Sequence, residues 1–188
     1  MADIIEPLRP GEETLCRRVV ETLGLVWPFP VEATGEGADA LQWLLEREGV
    51  RHFTAAELTA VPPDKTALAH RLGYDSLVPP RQWWPRVAAL AAVLEHVRLA
   101  AGGLPVRVRW MWRPDTLNRA VRGAPRGDHP ESRAADCYWP TPEAVVRADR
   151  ALEHLQAAHP WMALAVGTGR TMLHVGVLRP GGSARWSY

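Results

Sequence analysis

Cysteine is scarce in this sequence: Cys16 and Cys137 are the only two among 188 residues. So few cysteines argue against a disulfide framework, and two distant ones cannot by themselves form a zinc knuckle. An excess of charge is missing too, since 22 basic residues nearly balance 21 acidic ones. No whole-chain field therefore points to nucleic acid or to an anionic membrane, and we expect neither as a partner.

Long hydrophobic runs are also absent. No apolar stretch reaches the roughly 18 residues of a transmembrane helix, and the first residues lack the basic and apolar pattern of a secretory signal. We therefore expect a cytoplasmic protein or one associated with a phage or contractile system. The composition, with 47% hydrophobic and 23% charged residues, is typical of a globular chain.

Residues 1–50 are predicted to form a helical N-terminal extension. Apolar residues recur at helical spacing over residues 13–23 and 39–48, and a glycine follows each segment. We find no chemistry in this portion. The character of the sequence changes at residue 51, and residues 51–188 are predicted to form the main domain.

The main domain alternates between helical and strand patterns. Residues 83–101 form its most apolar helical segment, and residues 106–112 alternate valine or tryptophan with other residues, as in a half-buried strand. AADCYWP is a candidate short strand, a second helix begins at Pro142, and the sequence around Gly169 predicts a β-hairpin. This order predicts the α+β class, with a small antiparallel sheet backed by helices.

Three residues are candidate metal ligands: His129, Asp136 and His174. His129 lies in a turn-rich loop seven residues before Asp136, and His174 interrupts the apolar strand MLHVGVL, where its ring nitrogens need partners. Imidazole and carboxylate are normal zinc ligands. The same residue types form the facial triad of non-haem iron oxygenases. That family usually places the histidine and the carboxylate two residues apart on one strand, and this chain does not.

Several segments, taken in order, give the chain a resemblance to a known family. HFTAAEL is followed by the long helix, by WMWRPDTLN, by GAPRGDHPESRAAD and by LHVGV. In this order they resemble the zinc D-Ala-D-Ala carboxypeptidases, which share their fold with the hedgehog signalling domain. The resemblance covers about residues 51–178 and implies a hedgehog/DD-peptidase-like fold for that region.

The resemblance implies one zinc ion per chain, held by His129, Asp136 and His174, with a fourth position open for water. Three protein ligands and a water are the arrangement of a catalytic zinc, which lowers the pKa of that water to about 7. Arg113 matches the family's arginine near the substrate carbonyl. A guanidinium there can polarise the carbonyl and stabilise the oxyanion as the water attacks.

The substrate pocket is predicted to include Asn118, Trp112 and Trp139. Asn118 matches the asparagine that follows the family's arginine. Trp112 directly precedes Arg113, and Trp139 lies just past Asp136, so both tryptophans are expected to line the pocket.

The general base of the family is not matched. In the well-studied relatives an acidic residue lies three positions before the last histidine, and here that position is Thr171, which cannot relay a proton as a carboxylate does. A related subgroup has an aspartate two positions after that histidine, and here that position is Gly176. Glu131 or Asp128, in the same loop as His129, is a candidate substitute.

Two positions of the metal pattern itself also differ. The family's Ser-x-His-x-x-Gly-x-Ala-x-Asp reads GDHPESRAAD in this chain. Gly127 replaces the opening serine and removes a hydroxyl near the site. Ser132 replaces the central glycine and adds a side chain in a turn that favours none. The metal ligands are kept, whereas the hydrolytic machinery is incomplete.

These patterns predict a zinc-dependent peptidase or amidase that acts on small or peptidoglycan-type peptides. Its expected partner is a small peptide or a peptidoglycan fragment, and a protein partner stays open. Two alternatives remain. One is a zinc-binding interaction domain without hydrolytic activity, as in the hedgehog branch of this fold. The other is the same metal site recruited for another metal-dependent, biosynthetic reaction.

Overall fold

The computed structural model describes residues 7–29, 37–125 and 127–188. In these residues seven α-helices and five strands follow one another along the chain. The helices are α1 (Glu12–Thr22), α2 (Ala38–Glu48), α3 (Ala55–Leu58), α4 (Thr66–Arg71), α5 (Trp84–Ala100), α6 (Asp115–Ala120) and α7 (Pro142–Ala158). The strands are β1 (Arg107–Trp110), β2 (Ala134–Tyr138), β3 (Ala165–Thr168), β4 (Met172–Gly176) and β5 (Ala184–Ser187).

The five strands form one sheet in the order β1-β2-β4-β3-β5. The first four pair antiparallel, and β3 and β4 form the hairpin that the sequence predicted. β5 pairs parallel to β3, so the sheet is mixed, whereas the sequence predicted an antiparallel sheet. The reason is the path of the chain: it reverses direction after β4, runs past β3, and β5 then pairs with the edge of β3 that faces away from β4. The α+β class is confirmed.

The apolar segment 83–101 forms α5, which is buried on nearly all sides. It packs against α1 and α7, and α7 also contacts β3 and β4. Such a helix needs no polar face, because neighbouring elements cover it all round. The strand expected over 106–112 is shorter than predicted, since Met111 and Trp112 leave the sheet after a register shift between Val108 and Trp110.

The N-terminal helices share the hydrophobic core of the main domain. Buried residues of α1 and α2 belong to the same apolar cluster as α5 and the sheet: Cys16, Val19, Val20, Leu41, Leu44 and Leu45. The boundary at residue 50 stays a prediction, and residues 1–6 and 30–36 of the extension lie outside the described residues. Within the described ranges, no helix is long and apolar enough to cross a membrane.

Candidate metal centre

The sheet register brings two of the three predicted ligands face to face. Asp136 lies in the middle of β2 and pairs directly with His174 in β4. Residues opposite each other in an antiparallel pair point to the same face of the sheet. His129 lies in the loop before β2, and its backbone carbonyl accepts a hydrogen bond from the amide of Arg113, just after β1, at 3.2 Å. The end of β1 thus holds the third ligand beside the other two.

The ligand atoms of the three residues converge. His129 Nε2 lies 3.2 Å from Asp136 Oδ1, and His174 Nδ1 lies 2.9 Å from the same oxygen. All three ligand atoms lie within 4.8 Å of one another, and both histidines are buried. Zinc–ligand bonds of about 2.0–2.2 Å put the atoms of a tetrahedral site roughly 3.3 Å apart. This group can therefore hold a metal ion, as the sequence predicted.

The hydrogen bonds of His129 prepare it as a ligand. Its Nδ1 lies 2.7 Å from the carbonyl oxygen of Met111, which can only accept, so the ring donates there. Nε2 is buried and faces Asp136 Oδ1 at 3.2 Å. A neutral ring that donates from Nδ1 has no proton on Nε2 to share with that oxygen. Burial also lowers the pKa of His129 and favours the neutral ring. A neutral imidazole with its lone pair on Nε2 is the form that a metal needs.

His174 and Asp136 have opposite pKa shifts. Burial by itself would lower the pKa of His174, but Asp128 and Asp136 beside it outweigh burial and raise the pKa. Burial would raise the pKa of Asp136, but the two histidine rings beside it outweigh burial and lower that pKa. Asp136 is therefore a carboxylate, which carries the negative charge that a divalent cation neutralises. A metal must displace the proton that His174 holds.

The three residues face a cavity of about 660 Å³, which is within the range of small-molecule sites. The other described residues that line it include two arginines, an asparagine, an aspartate and a group of apolar side chains. These are Arg113, Asn118, Gly123, Ala124, Pro125, Gly127, Asp128, Pro130, Met172, Arg179, Ala184, Trp186 and Tyr188. Arg113 and Asn118 therefore line the same cavity as the three candidate ligands. Arg126 lies outside the described residues.

The two tryptophans expected in the pocket are not among these lining residues, so that prediction is corrected. Trp112 is buried, and its indole N–H donates to the carbonyl of Pro130 at 3.2 Å. This hydrogen bond supports the loop that carries His129, and Trp112 does not line the cavity. Trp139 is 5% exposed and belongs to the hydrophobic core. Proximity in sequence to Arg113 or to Asp136 did not decide whether either side chain reaches the cavity.

The residue at the family's base position and the two substitute carboxylates differ in their position relative to the cavity. Thr171 does not line the described cavity; its carbonyl accepts a hydrogen bond from the amide of Trp139. Glu131 is also outside the cavity, where it pairs with Arg133 at 2.7 Å. Asp128 lines the cavity, and its Oδ2 lies 3.7 Å from His174 Nε2, beyond hydrogen-bonding distance. Asp128 is therefore the candidate that the structure places beside the ligands.

Two departures from the family pattern have a local explanation. A side chain at Gly176 would put its Cβ 3.4 Å from Asp128 Oδ2, so the Asp128 carboxylate lies beside the position where the related subgroup has its aspartate. A Cβ at Gly127 would lie 3.0 Å from the carbonyl oxygen of Ala124, so this turn leaves little room for the family's serine.

One wall of the cavity is formed by residues that the sequence did not predict as part of the site. β5 places Trp186 and Tyr188 at the site, and the Trp186 ring lies 5.2 Å from that of His174. Gly167 in β3 makes this possible, since a Cβ there would lie 2.5 Å from the Trp186 ring. The available signal was the alternation of arginine, serine and aromatic residues in ARWSY after a glycine pair.

The cysteines contribute no reactive group. Cys16 and Cys137 are free and buried. Burial raises the pKa of Cys16 to about 12 and also raises the pKa of Cys137, so neither is a thiolate near neutral pH. The chemistry of the site therefore depends on its histidines, carboxylates and arginines.

Comparison with known proteins gives no family assignment: no protein-family model matches the chain, and no curated protein matches it significantly.

Proposed function

We propose that this protein is a zinc-dependent peptidase or amidase. The observation that carries the proposal is the buried group of His129, Asp136 and His174 at the base of a cavity that also contains Arg113. The order of the surrounding segments, which resembles that of the zinc D-Ala-D-Ala carboxypeptidases, supports the same conclusion.

The donor set fits zinc. Two imidazoles and one carboxylate are the protein ligands of many catalytic zinc sites, which leave a further position open. The buried Nε2 atom of His129 faces the Asp136 carboxylate at 3.2 Å while Nδ1 donates to Met111, and a cation between Nε2 and the carboxylate would satisfy both. When bound, zinc acts as a Lewis acid and makes a water molecule nucleophilic near neutral pH.

Arg113 is the residue that orients the substrate carbonyl in this proposal. Its Nε is buried without a hydrogen-bond partner in the described chain, and its guanidinium lies 5.5 Å from the centre of the Trp110 ring. Burial lowers its pKa, although Asp136 opposes that shift, and an arginine stays protonated at neutral pH. The fixed positive charge stabilises the oxyanion that develops during attack on an amide.

Asp128 is proposed to take the proton from the attacking water and deliver it to the leaving amine. It is the lining carboxylate that is not one of the three ligands, and it is 14% exposed. General acid–base help of this kind is worth about 10²–10⁴-fold.

The cavity supports a small peptide as the substrate. Arg179 supplies positive charge for a substrate carboxylate, and the aromatic wall of Trp186 and Tyr188 supplies an apolar surface. Peptides that contain D-amino acids, such as peptidoglycan stem peptides, follow from the family resemblance.

A zinc-binding domain without hydrolytic activity is the second candidate. The position of the family's general base holds Thr171, and this residue does not line the described cavity. If Asp128 serves only to orient His174, the site binds metal and a ligand but does not turn over.

Metal analysis and peptide hydrolysis test both proposals. Wild type should hold about one zinc per chain, His129→Ala and His174→Ala should lose it, and the exposed His70→Ala should keep it. Equal zinc in all four proteins would refute the site. Asp128→Asn should keep zinc but hydrolyse D-Ala-D-Ala or a stem peptide about 10²–10⁴-fold more slowly, while the exposed Asp75→Asn matches wild type. Zinc binding without hydrolysis in wild type favours the second candidate.

A further inference from the structure

A buried cluster of charges joins the N-terminal helix to the loop between the first two metal ligands. We call residues 128–133 the metal loop. Two members of the cluster, Glu131 and Arg133, belong to this loop. The other two are Glu12, at the start of α1, and Arg86, in α5. We call these four residues the ion cluster.

Glu12 holds both arginines of the ion cluster. Its carboxylate accepts hydrogen bonds from Arg86 Nε at 2.7 Å and from Arg86 Nη2 at 3.0 Å. Arg133 Nη2 lies 2.7 Å from the same carboxylate. The side chains of Glu12, Arg86 and Arg133 are only 5%, 3% and 2% exposed. Such pairs are little screened by solvent, and removing one partner leaves uncompensated buried charge.

The two arginines in turn hold the metal loop from outside the cavity. Arg86 Nη1 donates to the backbone carbonyl of Glu131 at 3.0 Å, and Arg133 Nε donates to the Glu131 side chain at 2.7 Å. Arg133 Nη1 also donates to the carbonyl of Leu178 at 2.8 Å, two residues after β4 ends. One side chain thus connects the metal loop with the segment that follows the strand of His174.

The metal loop needs such support because it has no regular secondary structure. Its internal hydrogen bonds run from the amide of Ser132 to His129 and from the amide of Arg133 to Asp128. Outer groups that fix the orientation of ligands contribute to metal affinity even when they do not touch the ion. Within the ion cluster two carboxylates face two guanidinium groups, and the half-exposed Arg9 lies 3.6 Å from Glu131 at its edge. Loss of Glu12 therefore leaves Glu131 as the single carboxylate among these cations.

We propose that Glu12 is a positioning residue for the metal centre: its buried ion pairs hold the loop between His129 and Asp136 in the ligand-binding geometry. The N-terminal helix is then a part of the metal site and not only a covering for the core. This role concerns metal affinity and does not depend on whether the site hydrolyses a peptide.

The charge state of Glu12 agrees with this role. Burial by itself would raise its pKa, but the hydrogen bonds from Arg86 and the amide of Arg9, together with the charge of Arg133, lower it below the ordinary value. Glu12 is therefore ionised at neutral pH and neutralises the arginines around it.

The zinc affinity of the full chain, measured by competition with a chelator, tests the proposal. Glu12→Gln keeps the shape of the side chain and removes its charge, and it should weaken zinc binding about 10-fold, the lower end of the effect of losing an outer partner. Glu12→Asp keeps the charge and should retain part of the affinity. Val20→Ala is the matched control: it opens a cavity on the same helix, lowers the denaturation midpoint and leaves the ion cluster intact.

Hydrogen exchange of the zinc-free protein supplies a second measurement. The amides of Ser132 and Arg133 should exchange faster in Glu12→Gln than in Val20→Ala. The two variants are compared under conditions in which their free energies of unfolding are equal. Unchanged zinc affinity in Glu12→Gln, or an equal loss in Val20→Ala, would overturn the proposal and leave the proposed function intact. Absence of zinc binding in wild type would overturn both. If Glu12→Gln does not fold, the same comparison between Glu12→Asp and Val20→Ala decides.

Discussion

The zinc D-Ala-D-Ala carboxypeptidases, which this chain resembles, have glycine at the position of Ser132 in their metal-binding pattern. The backbone at Ser132 has the conformation that glycine favours. Its φ is 56°, in the left-handed region, and its side chain is fully buried. Its hydroxyl has no hydrogen-bond partner among the described residues. Replacing Ser132 with glycine should therefore stabilise the protein, although the position lies between two metal ligands.

The magnitude follows from three contributions. A side chain in the left-handed region costs about 1–2 kcal/mol, and a buried hydroxyl without a partner costs about 1–3 kcal/mol. Glycine offsets this gain by about 0.4–1 kcal/mol, because it increases the conformational entropy of the unfolded chain. The net gain expected for Ser132→Gly is about 1–4.5 kcal/mol, and each kcal/mol raises the Tm of a chain of this size by about 2–4 °C.

Denaturant unfolding of zinc-free Ser132→Gly, Ser132→Ala and wild type measures this gain. Ser132→Ala removes the hydroxyl but keeps the Cβ, so it should gain less than Ser132→Gly, and the difference isolates the backbone contribution. Zinc content should be equal in all three proteins. A loss of stability in Ser132→Gly would refute the reasoning, because it would show that the turn gains more from the serine side chain than it loses in strain.

Two further predictions concern a residue of the cavity and a residue far from it. Arg113→Lys keeps the charge but loses the planar fork, so hydrolysis should fall about 10²–10³-fold while the Tm barely moves; a large loss of stability would instead make Arg113 structural. Glu48 is buried, its oxygens have no partner in the described chain, and burial together with the charge of Glu95 raises its pKa well above 4.5. The folded protein keeps a proton there that the unfolded chain releases, so stability falls as the pH rises from about 4.5 through the raised pKa. Glu48→Gln should remove this loss of stability. Denaturant unfolding at pH 4 and pH 8 should show that the variant has a higher free energy of unfolding than wild type, by about 1–3 kcal/mol, only at pH 8.

Local patterns in the sequence were sufficient for several elements of the fold. The apolar segment 83–101 became α5, and the sequence around Gly169 became the β3–β4 hairpin. Both signals depend on residues that are neighbours in the chain, because periodicity and turn chemistry act over a few residues. The ligand group was also predictable, from the residue types of His129, Asp136 and His174 together with the resemblance of the surrounding segments to a zinc-binding family.

The tertiary structure alone decided which other side chains reach the site. Trp112 directly precedes Arg113 and Trp139 lies three residues past Asp136, yet neither side chain lines the cavity. Trp186 reaches the cavity because β5 pairs with β3 and Gly167 leaves space for its ring. Pairing of this kind depends on strands brought together by the whole fold, and no short sequence pattern encodes it.

The same distinction applies to the N-terminal extension. The sequence determined that it is helical and apolar on one face, and nothing in residues 1–50 indicated chemistry. Glu12 contacts Arg86 across 74 residues of sequence and Arg133 across a still longer separation. Such contacts form only after α1 packs on α5, because packing and not local propensity selects which charges meet in the interior. The sequence indicated the three candidate ligands of a metal ion, and the packing of the helices decided what supports them.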